Sequence, residues 1–325
     1  MEIPSIHPEQ QHHSSLLKPA GCISRLAEIA VWFSMRQDLP VPELLTPALV
    51  LFAADHGICD ATGDGEKTTD LLRSNAAEGS IIRSLCAQTG AELHIVDLGV
   101  ADCLVDVDDI EHAKVRSAGS ADISTEAAMS QMDYWECVGI GEEMANRAIA
   151  GGANLLIAGS ISCGDNIAVA AVIAELAGLS PEVALASNAD SATYSRELSA
   201  VEQTLARAQG TSSHDILREI GGLELAAMAG FYRAAAARGV PVLLDGRASV
   251  AAALGAVAWD VRIAGWMLAS HVSDESGHRE ALESLGLEPL MELKSSINTG
   301  KLATLLLPVL QSAISLQRGL ATIEG

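Results

Sequence analysis

Aromatic residues are scarce in this chain of 325 residues, at 3%, although hydrophobic residues make up 49% of it. We therefore expect an aliphatic core built from Ala, Leu, Ile and Val. The length predicts one large domain or two modest ones. A chain of this size can bury a substantial core.

Positive charge is also in short supply, because 20 Lys and Arg stand against 42 Asp and Glu, a net charge of −22. Binding of DNA or RNA depends on basic residues that neutralise phosphates, so we expect no nucleic-acid partner. An anionic membrane surface is disfavoured for the same reason. No apolar run reaches the about 18 residues of a transmembrane helix. The first 15 residues lack the basic and apolar regions of a secretory signal, which predicts a cytoplasmic protein.

Paired cysteines are missing as well, since the six cysteines are scattered and form no CxxC motif. Neither a disulfide scaffold nor a zinc site is expected, and we predict no metal and no cofactor. Cys163 has no basic neighbour in sequence and is expected to be an inert thiol. His271 and His278 could share a helix face, but a metal site needs about three ligands, so a polar turn capped by Ser273 or Asp274 is favoured.

What the sequence does contain is an alternation of short apolar runs and Ala-rich segments. Strands are predicted at residues 48–54, 92–100, 154–161, 240–246 and 263–271. Their continuous apolarity indicates burial on both faces, as in a parallel sheet. Helices are predicted at residues 167–179, 224–238 and 302–316, and residues 101–133 are interpreted as a long surface excursion. This order predicts an α/β fold with a mainly parallel sheet.

Polar residues follow several of the predicted strands, where α/β folds bind ligands. Asp55 and His56 could act together in proton transfer, or Asp55 could instead tie down a loop. The loop from Gly159 to Gly164 precedes a helix and could cradle a phosphate through its backbone N–H groups. The loop matches neither the GxGxxG motif nor a P-loop, and Asp165 adds a negative charge there. Taken alone, the loop is therefore weak evidence for a phosphate site.

Taken in order, several segments resemble one family, the nicotinate-nucleotide:dimethylbenzimidazole phosphoribosyltransferases. The resemblance runs from about residue 15 to residue 318. The segments that carry it are LKPAG (17–21), FAADHG (52–57), VDLGV (96–100), IGGLELAAMAG (220–230), VLLDG (242–246), SHVSDESG (270–277) and LEPL (287–290).

The resemblance implies a Rossmann-like α/β domain over residues 46–301 and a small helical domain from residues 1–45 plus 302–325. It also implies a cytoplasmic homodimer that needs no metal. Members move phosphoribose from nicotinate mononucleotide to 5,6-dimethylbenzimidazole, which gives α-ribazole 5′-phosphate and nicotinate. The incoming base loses its N–H proton, so such an enzyme needs a carboxylate as general base. It also needs backbone N–H groups and a cation to hold the 5′-phosphate.

The sequence departs from the family where this chemistry takes place. Alignment on Gly300 puts Ile297 at the position of the family's general-base Glu, and loss of a general base typically costs about 10²–10⁴ in rate. In the phosphate loop, Ser160 replaces a second Glu and Asp165 replaces an Asn. A family Lys falls near Glu197, where a negative charge would repel a phosphate.

These departures predict a protein that is impaired or inactive in the standard reaction, acting as a non-catalytic partner subunit. The alternative is an active phosphoribosyltransferase whose base is Asp55, Asp165 or Glu224, with a different acceptor. A different reaction on a neutral or cationic substrate is a third possibility. The ligand would be nicotinate mononucleotide or a ribazole-like molecule, and the chain would pair with itself or with an active paralogue. Candidate substrate-binding residues are Ser160, Ser162, Gly164, Asp165, Asn166, Ser273, Asn298, Thr299 and Gly300.

Overall fold

A computed structural model describes residues 24–59, 67–102, 104, 107–185, 191–295 and 299–319. Within these residues seven strands form one sheet in the order β3-β2-β1-β4-β5-β6-β7, and every neighbouring pair is parallel. This confirms the predicted α/β class. The strands are β1 (Pro47–Ala54), β2 (Glu92–Gly99), β3 (Glu111–His112), β4 (Leu155–Ile161), β5 (Val242–Leu244), β6 (Met267–Val272) and β7 (Pro289–Glu292).

Helices cover both faces of the sheet. The described helices are α1 (Ser24–Gln37), α2 (Thr68–Ala76), α3 (Ile81–Thr89), α4 (Gln131–Ala150), α5 (Asp165–Ala177), α6 (Pro181–Ala184), α7 (Ser191–Ala208), α8 (Ile216–Ile220), α9 (Leu223–Ala237), α10 (Arg247–Trp259), α11 (His278–Ser284) and α12 (Lys301–Gly319). None of them is both long enough and apolar enough to span a bilayer.

Two of the sequence interpretations need correction. Residues 263–266, predicted as strand, belong to the 3₁₀ helix Val261–Trp266, whose first turn is capped when the Asp260 carboxylate accepts the Arg262 N–H at 2.9 Å. The segment 101–133 is more than a surface excursion. It supplies β3, and it places Ile123, Ala128 and Met129 in the core because their side chains are shielded by the surrounding helices.

Strand β1 shows why the central strands are continuously apolar. Its side chains alternate between two cores, as the period of two in a strand requires. Val50 and Phe52 pack into the core that contains residues of α4, α5, α9 and α10. Leu49 and Leu51 pack into the opposite core, with residues of α1, α3 and α12. Both faces of the sheet are therefore buried.

The first and last of the described helices, α1 and α12, pack together on one face of the sheet. Phe33 of α1 lies in the same core cluster as Leu307 and Leu310 of α12. Gln317 Nε2 donates to Ser34 Oγ at 3.4 Å and ties the two helices by a polar contact. The division into a small helical domain (1–45 plus 302–325) and a large domain (46–301) remains a prediction.

The strand order reverses direction between β1 and β4, which are neighbours at the centre of the sheet. In doubly wound folds this switch point leaves a crevice at the carboxyl ends of the two strands, and ligands bind there. The segments that follow β1 and β4 therefore define where a site is expected.

Candidate functional site

A buried ion-pair partner for His56 lies directly behind the switch point. His56 follows β1, and its Nε2 is 2.9 Å from Oε1 of Glu224, in the first turn of α9. Both side chains are fully buried. Gly222 makes room for the pair, because a Cβ at that position would overlap the Glu224 carboxylate and lie 2.5 Å from His56 Cε1.

The protonation of this pair is set by two opposing effects. Burial alone would lower the pKa of His56, but the adjacent Glu224 carboxylate, helped by Asp165 and Asp55, raises it above the ordinary value. The Glu224 carboxylate therefore favours the charged form of His56 against the effect of burial. Nδ1 of His56 and Oε2 of Glu224 are buried and have no hydrogen-bond partner within the described part of the chain.

Asp55, the first candidate base, is occupied in holding a loop. Its Oδ2 accepts the backbone N–H of Ala101 at 2.6 Å, and its backbone pairs with Ser120. Gly119 packs so closely on the Asp55 carbonyl that no Cβ would fit. The alternative in which Asp55 ties down a loop fits this geometry, and the side chain that pairs with His56 is Glu224.

Asp165 is the half-buried carboxylate of the site. It begins α5 immediately after the loop that follows β4, and Ser160 Oγ donates to its Oδ2 at 3.4 Å. Burial and the nearby Glu224 raise the pKa of Asp165 to about 6, against the opposing effects of His56, Arg247 and the Ser160 hydrogen bond. A carboxyl group with a pKa near neutrality is suited to accept and release a proton.

Arg247 is a buried cation that sequence reasoning missed. It is 5% exposed and begins α10, with Nη1 donating to Asn166 Oδ1 at 3.0 Å and Nη2 donating to the Ala184 carbonyl. Its charge acts on both Asp165 and Glu275. The sequence did contain a clue to Arg247. It directly follows the matched VLLDG segment, at the position where the family motif has Phe.

Asp245, which directly follows β5, fixes the loop that precedes α12. Asp245 Oδ2 accepts the N–H of Gly300 and its Oδ1 accepts that of Ala303, both at 2.8 Å, so the carboxylate caps the helix. Burial raises the pKa of Asp245 to about 6, although these backbone donors favour its charged form. A Cβ on Gly159 would lie 2.8 Å from Gly300 N and 2.9 Å from the Thr299 carbonyl carbon. Thr299 and Gly300, two of the candidate binding residues, therefore lie against Gly159 of β4.

Two buried, neutral histidines flank the turn after β6, His271 near the end of β6 and His278 at the start of α11. The Ser273 N–H donates to Nδ1 of His278 at 3.1 Å, so Nδ1 is an acceptor and the ring proton is on Nε2. Burial lowers the pKa of His278 to about 3 and that of His271 to about 4. Ser273 Oγ also lies 3.2 Å from Oε2 of Glu275, the half-buried carboxylate near Arg247.

The structure thus brings together most of the candidate residues. Ser160 donates to Asp165 at the start of α5, and the next residue, Asn166, accepts from Arg247. Ser162 Oγ is a buried polar atom without a partner in the described part of the chain. Ile297 and Asn298 lie outside the described residues. Glu197 is buried in α7 and one of its carboxylate oxygens has no partner within the described ranges.

The site therefore contains the types of group that acid–base chemistry on an anionic substrate requires. The half-buried carboxyl of Asp165 lies near the buried His56–Glu224 pair. A buried guanidinium lies beside the N-terminus of α5, whose first N–H groups are capped by no side chain within the described residues. Such N–H groups favour anions. The fold defines a Rossmann-like α/β protein, and this group of residues is its candidate ligand site at the switch point.

Comparisons with known proteins narrow this class to one family. The family model described as "Phosphoribosyltransferase" matches residues 5–325. The nicotinate-nucleotide–dimethylbenzimidazole phosphoribosyltransferase of Chromobacterium violaceum is 41% identical, with 95% of this chain and 91% of the relative covered. That of Mycobacterium ulcerans is 35% identical, with 95% and 88% covered. The crystal structure of CobT from Thermus thermophilus superposes with a TM-score of 0.92 at 31% identity, with 98% and 96% covered.

The chain therefore belongs to the phosphoribosyltransferase family that these relatives represent. The resemblance inferred from the ordered motifs is confirmed.

Proposed function

We propose that this protein is an active phosphoribosyltransferase that uses nicotinate mononucleotide as donor and 5,6-dimethylbenzimidazole or a related azole as acceptor. The proposal replaces the impaired protein that the sequence departures favoured. It is supported by the names of relatives that cover nearly the whole chain. The observation that carries it is a carboxyl group at the switch point, Asp165, with a pKa of about 6.

Asp165 takes the part of general base in this proposal. Nicotinate leaves C1′ of the ribose while a nitrogen of the azole attacks, and the azole N–H proton passes to the Asp165 carboxylate. At pH 7 a group with a pKa near 6 is mostly ionised and still basic enough to accept that proton. The buried His56–Glu224 pair behind Asp165 keeps a cation close to it, so the carboxylate form is not lost entirely to burial.

The 5′-phosphate is held at the start of α5 and by Arg247. The backbone N–H groups of the first turn of α5 and the buried Ser162 Oγ supply hydrogen-bond donors. Arg247 supplies the positive charge that offsets Asp165, because its guanidinium is anchored on Asn166 beside that turn. A guanidinium is also the side chain best shaped to bind a phosphate through two hydrogen bonds.

The test is release of nicotinate by purified protein supplied with nicotinate mononucleotide and a panel of azoles. We expect azole-dependent release, and Asp165→Asn should reduce it by about 10²–10⁴ in rate. Asp70→Asn is the matched control, since Asp70 is exposed on α2 and should leave the rate unchanged. No release from the wild type at high protein concentration would exclude the proposal.

The second candidate is the non-catalytic partner subunit, favoured by Ile297 at the family's general-base position. Under this alternative the wild type releases no nicotinate, and the chain co-purifies with an active paralogue. Under our proposal the wild type releases nicotinate as a homodimer. We place the protein in the cytoplasm in either case.

A further inference from the structure

Two cysteines from opposite sides of the switch point approach one another closely. Cys59 lies three residues after His56, and Cys163 lies two residues before Asp165. Their Sγ atoms are 2.7 Å apart, in a thiol–thiol hydrogen bond. This separation exceeds the about 2.05 Å of a disulfide bond by only about 0.7 Å.

The backbone around the two thiols is shaped to allow this approach. Gly164 follows Cys163 with a φ of +80°, in the left-handed region, and a Cβ there would lie 2.9 Å from the Cα of Cys59 and 3.0 Å from its Cβ. Only glycine permits the two loops to pack at this distance without strain. The Cys163 N–H also donates to Thr68 Oγ1 at 2.9 Å, so the loop that carries Cys163 is fixed in place.

We infer that Cys59 and Cys163 are a reversible dithiol–disulfide pair that links the two loops of the switch point. The inference assigns a modification site, and its effect on turnover rests on the proposed function. Reversible disulfides in the cytoplasm are typically transient and redox-sensing, in agreement with a pair placed next to a site.

The oxidant we name is a small-molecule disulfide, such as oxidised glutathione, and the exchange proceeds in two balanced steps. The thiolate of Cys59, the more exposed thiol, attacks one sulfur of the oxidant, which forms a mixed disulfide and releases one small thiolate. Cys163 then attacks Cys59 Sγ and its proton passes to the departing sulfur of the oxidant, which forms the protein disulfide and releases the second half of the oxidant as a thiol. Two electrons pass from the protein to the oxidant.

The two thiols differ in burial, and this sets the order in which they react. Cys163 is 9% exposed, and burial together with Cys59 raises its pKa to about 12. It therefore remains a thiol until the mixed disulfide has formed beside it, and the small oxidant reaches Cys59 first. Once closed, the disulfide clamps the loop before Asp165 onto the loop after His56. Displacements of about 1 Å at positioned groups can cost about 10²-fold in rate.

The test equilibrates the native full-length protein with mixtures of reduced and oxidised glutathione, traps thiols by alkylation and maps the peptides by mass spectrometry. We expect one linked peptide pair, Cys59–Cys163, reversed by reduced glutathione, and its loss in Cys59→Ser and in Cys163→Ser. Cys86→Ser, a buried cysteine of α3, should keep the link. Since the wild type alone gives the map, the test stands even if a variant fails to fold.

Three outcomes overturn the inference: both thiols remain open to alkylation, Cys59 stops at the mixed disulfide, or Cys163 links to another cysteine. Nicotinate release is then compared between the reduced and the linked protein, and we expect a drop of about tenfold or more. A protein that links but releases no nicotinate in either state keeps the inference and removes the proposed function.

Discussion

At the scale of single residues, the site depends on which of three carboxylates is open to a substrate. Asp55 holds the Ala101 amide, and Glu224 is sealed behind His56, whereas Asp165 is half-buried at the start of α5. All three followed predicted strands or began helices, so the sequence identified them equally well. What separates them is the partner that each one finds, and this depends on contacts between segments distant in sequence.

Gly222→Ala should separate the two members of the buried pair. A methyl group there overlaps the Glu224 carboxylate, so we expect the pair to move apart and the pKa of His56 to fall, because burial then acts without its counter-charge. The measurement is an NMR titration of the imidazole resonances. Gly265→Ala, where a Cβ meets nothing within 4 Å, is the control. An unchanged His56 titration in Gly222→Ala would mean that Glu224 does not set it.

Arg247→Met should weaken the binding of nicotinate mononucleotide. Hydrogen bonds to charged groups contribute about 1.5–3 kcal/mol, which corresponds to about 10–100-fold in affinity. Calorimetric titration measures the effect, with Arg262→Met as the control because Arg262 is exposed and pairs with its near neighbour Asp260. Equal affinities for wild type and Arg247→Met would show that this guanidinium does not hold the ligand.

At the scale of elements, the sequence predicted the central strands and three of the longer helices, α5, α9 and α12, because their periodicity is local. The hydrophobic runs of β1, β2 and β4 are bounded by polar or glycine residues at the strand ends. The short strands β3 and β7 were missed because two and four residues carry too little pattern, and they form only by pairing with β2 and β6. The 3₁₀ helix before β6 was also missed, since it depends on one Asp260 cap.

The crossing of α4 and α9 depends on two glycines. A Cβ on Gly141 would overlap the Ala227 carbonyl, and a Cβ on Gly230 would overlap that of Val138. Gly230→Ala should therefore lower the free energy of unfolding by about 1–3 kcal/mol, the usual cost of overpacking. Urea unfolding measures it.

Gly139→Ala on α4 is the matched control for that crossing. Gly139 is exposed, and a Cβ there meets nothing within 4 Å. It should stabilise the protein by up to about 1 kcal/mol, because alanine is the better helix former. Equal effects of the two alanines on the free energy of unfolding would mean that the two helices can move apart without cost to accept a methyl group at their crossing.

At the scale of the whole molecule, two sets of titratable groups make the stability of the fold depend on pH in opposite directions. His271 and His278, with pKa values of about 4 and about 3, bind a proton more weakly in the folded chain than in the unfolded chain. They make stability fall as the pH drops below about 6.5. Asp165 and Asp245, with pKa values raised to about 6, act in the opposite direction and make stability fall as the pH rises from about 4 to about 6.

His278→Asn should isolate one of these contributions. The asparagine oxygen can accept the Ser273 N–H in place of Nδ1 but cannot be protonated. Between pH 6.5 and about 4 the variant should lose less stability than wild type on acidification, by up to about 1.4 kcal/mol per pH unit. Urea unfolding at several pH values measures it, and parallel curves for the two proteins would contradict the assigned shift.

The candidate site as a whole was predictable only in outline. The alternation of strands and helices placed it at the carboxyl edge of the sheet, and the ordered motifs gave the family. The convergence of His56, Glu224, Asp165 and Arg247 was not predictable, because they come from four separate connections, three that follow strands and one between the helices α8 and α9. Arg247 shows this most clearly, since its importance follows from Asn166 and Ala184 lying against it.

The most direct test of the account is the pH dependence of kcat/KM for azole-dependent nicotinate release by wild type and Asp165→Asn. We predict that the wild-type rate rises with pH to a plateau through an apparent pKa of about 6, and that Asp165→Asn loses both this rise and about 10²–10⁴ of the rate. A wild-type profile that keeps the same rise in Asp165→Asn, at an undiminished rate, would contradict the assignment of Asp165 as the proton acceptor.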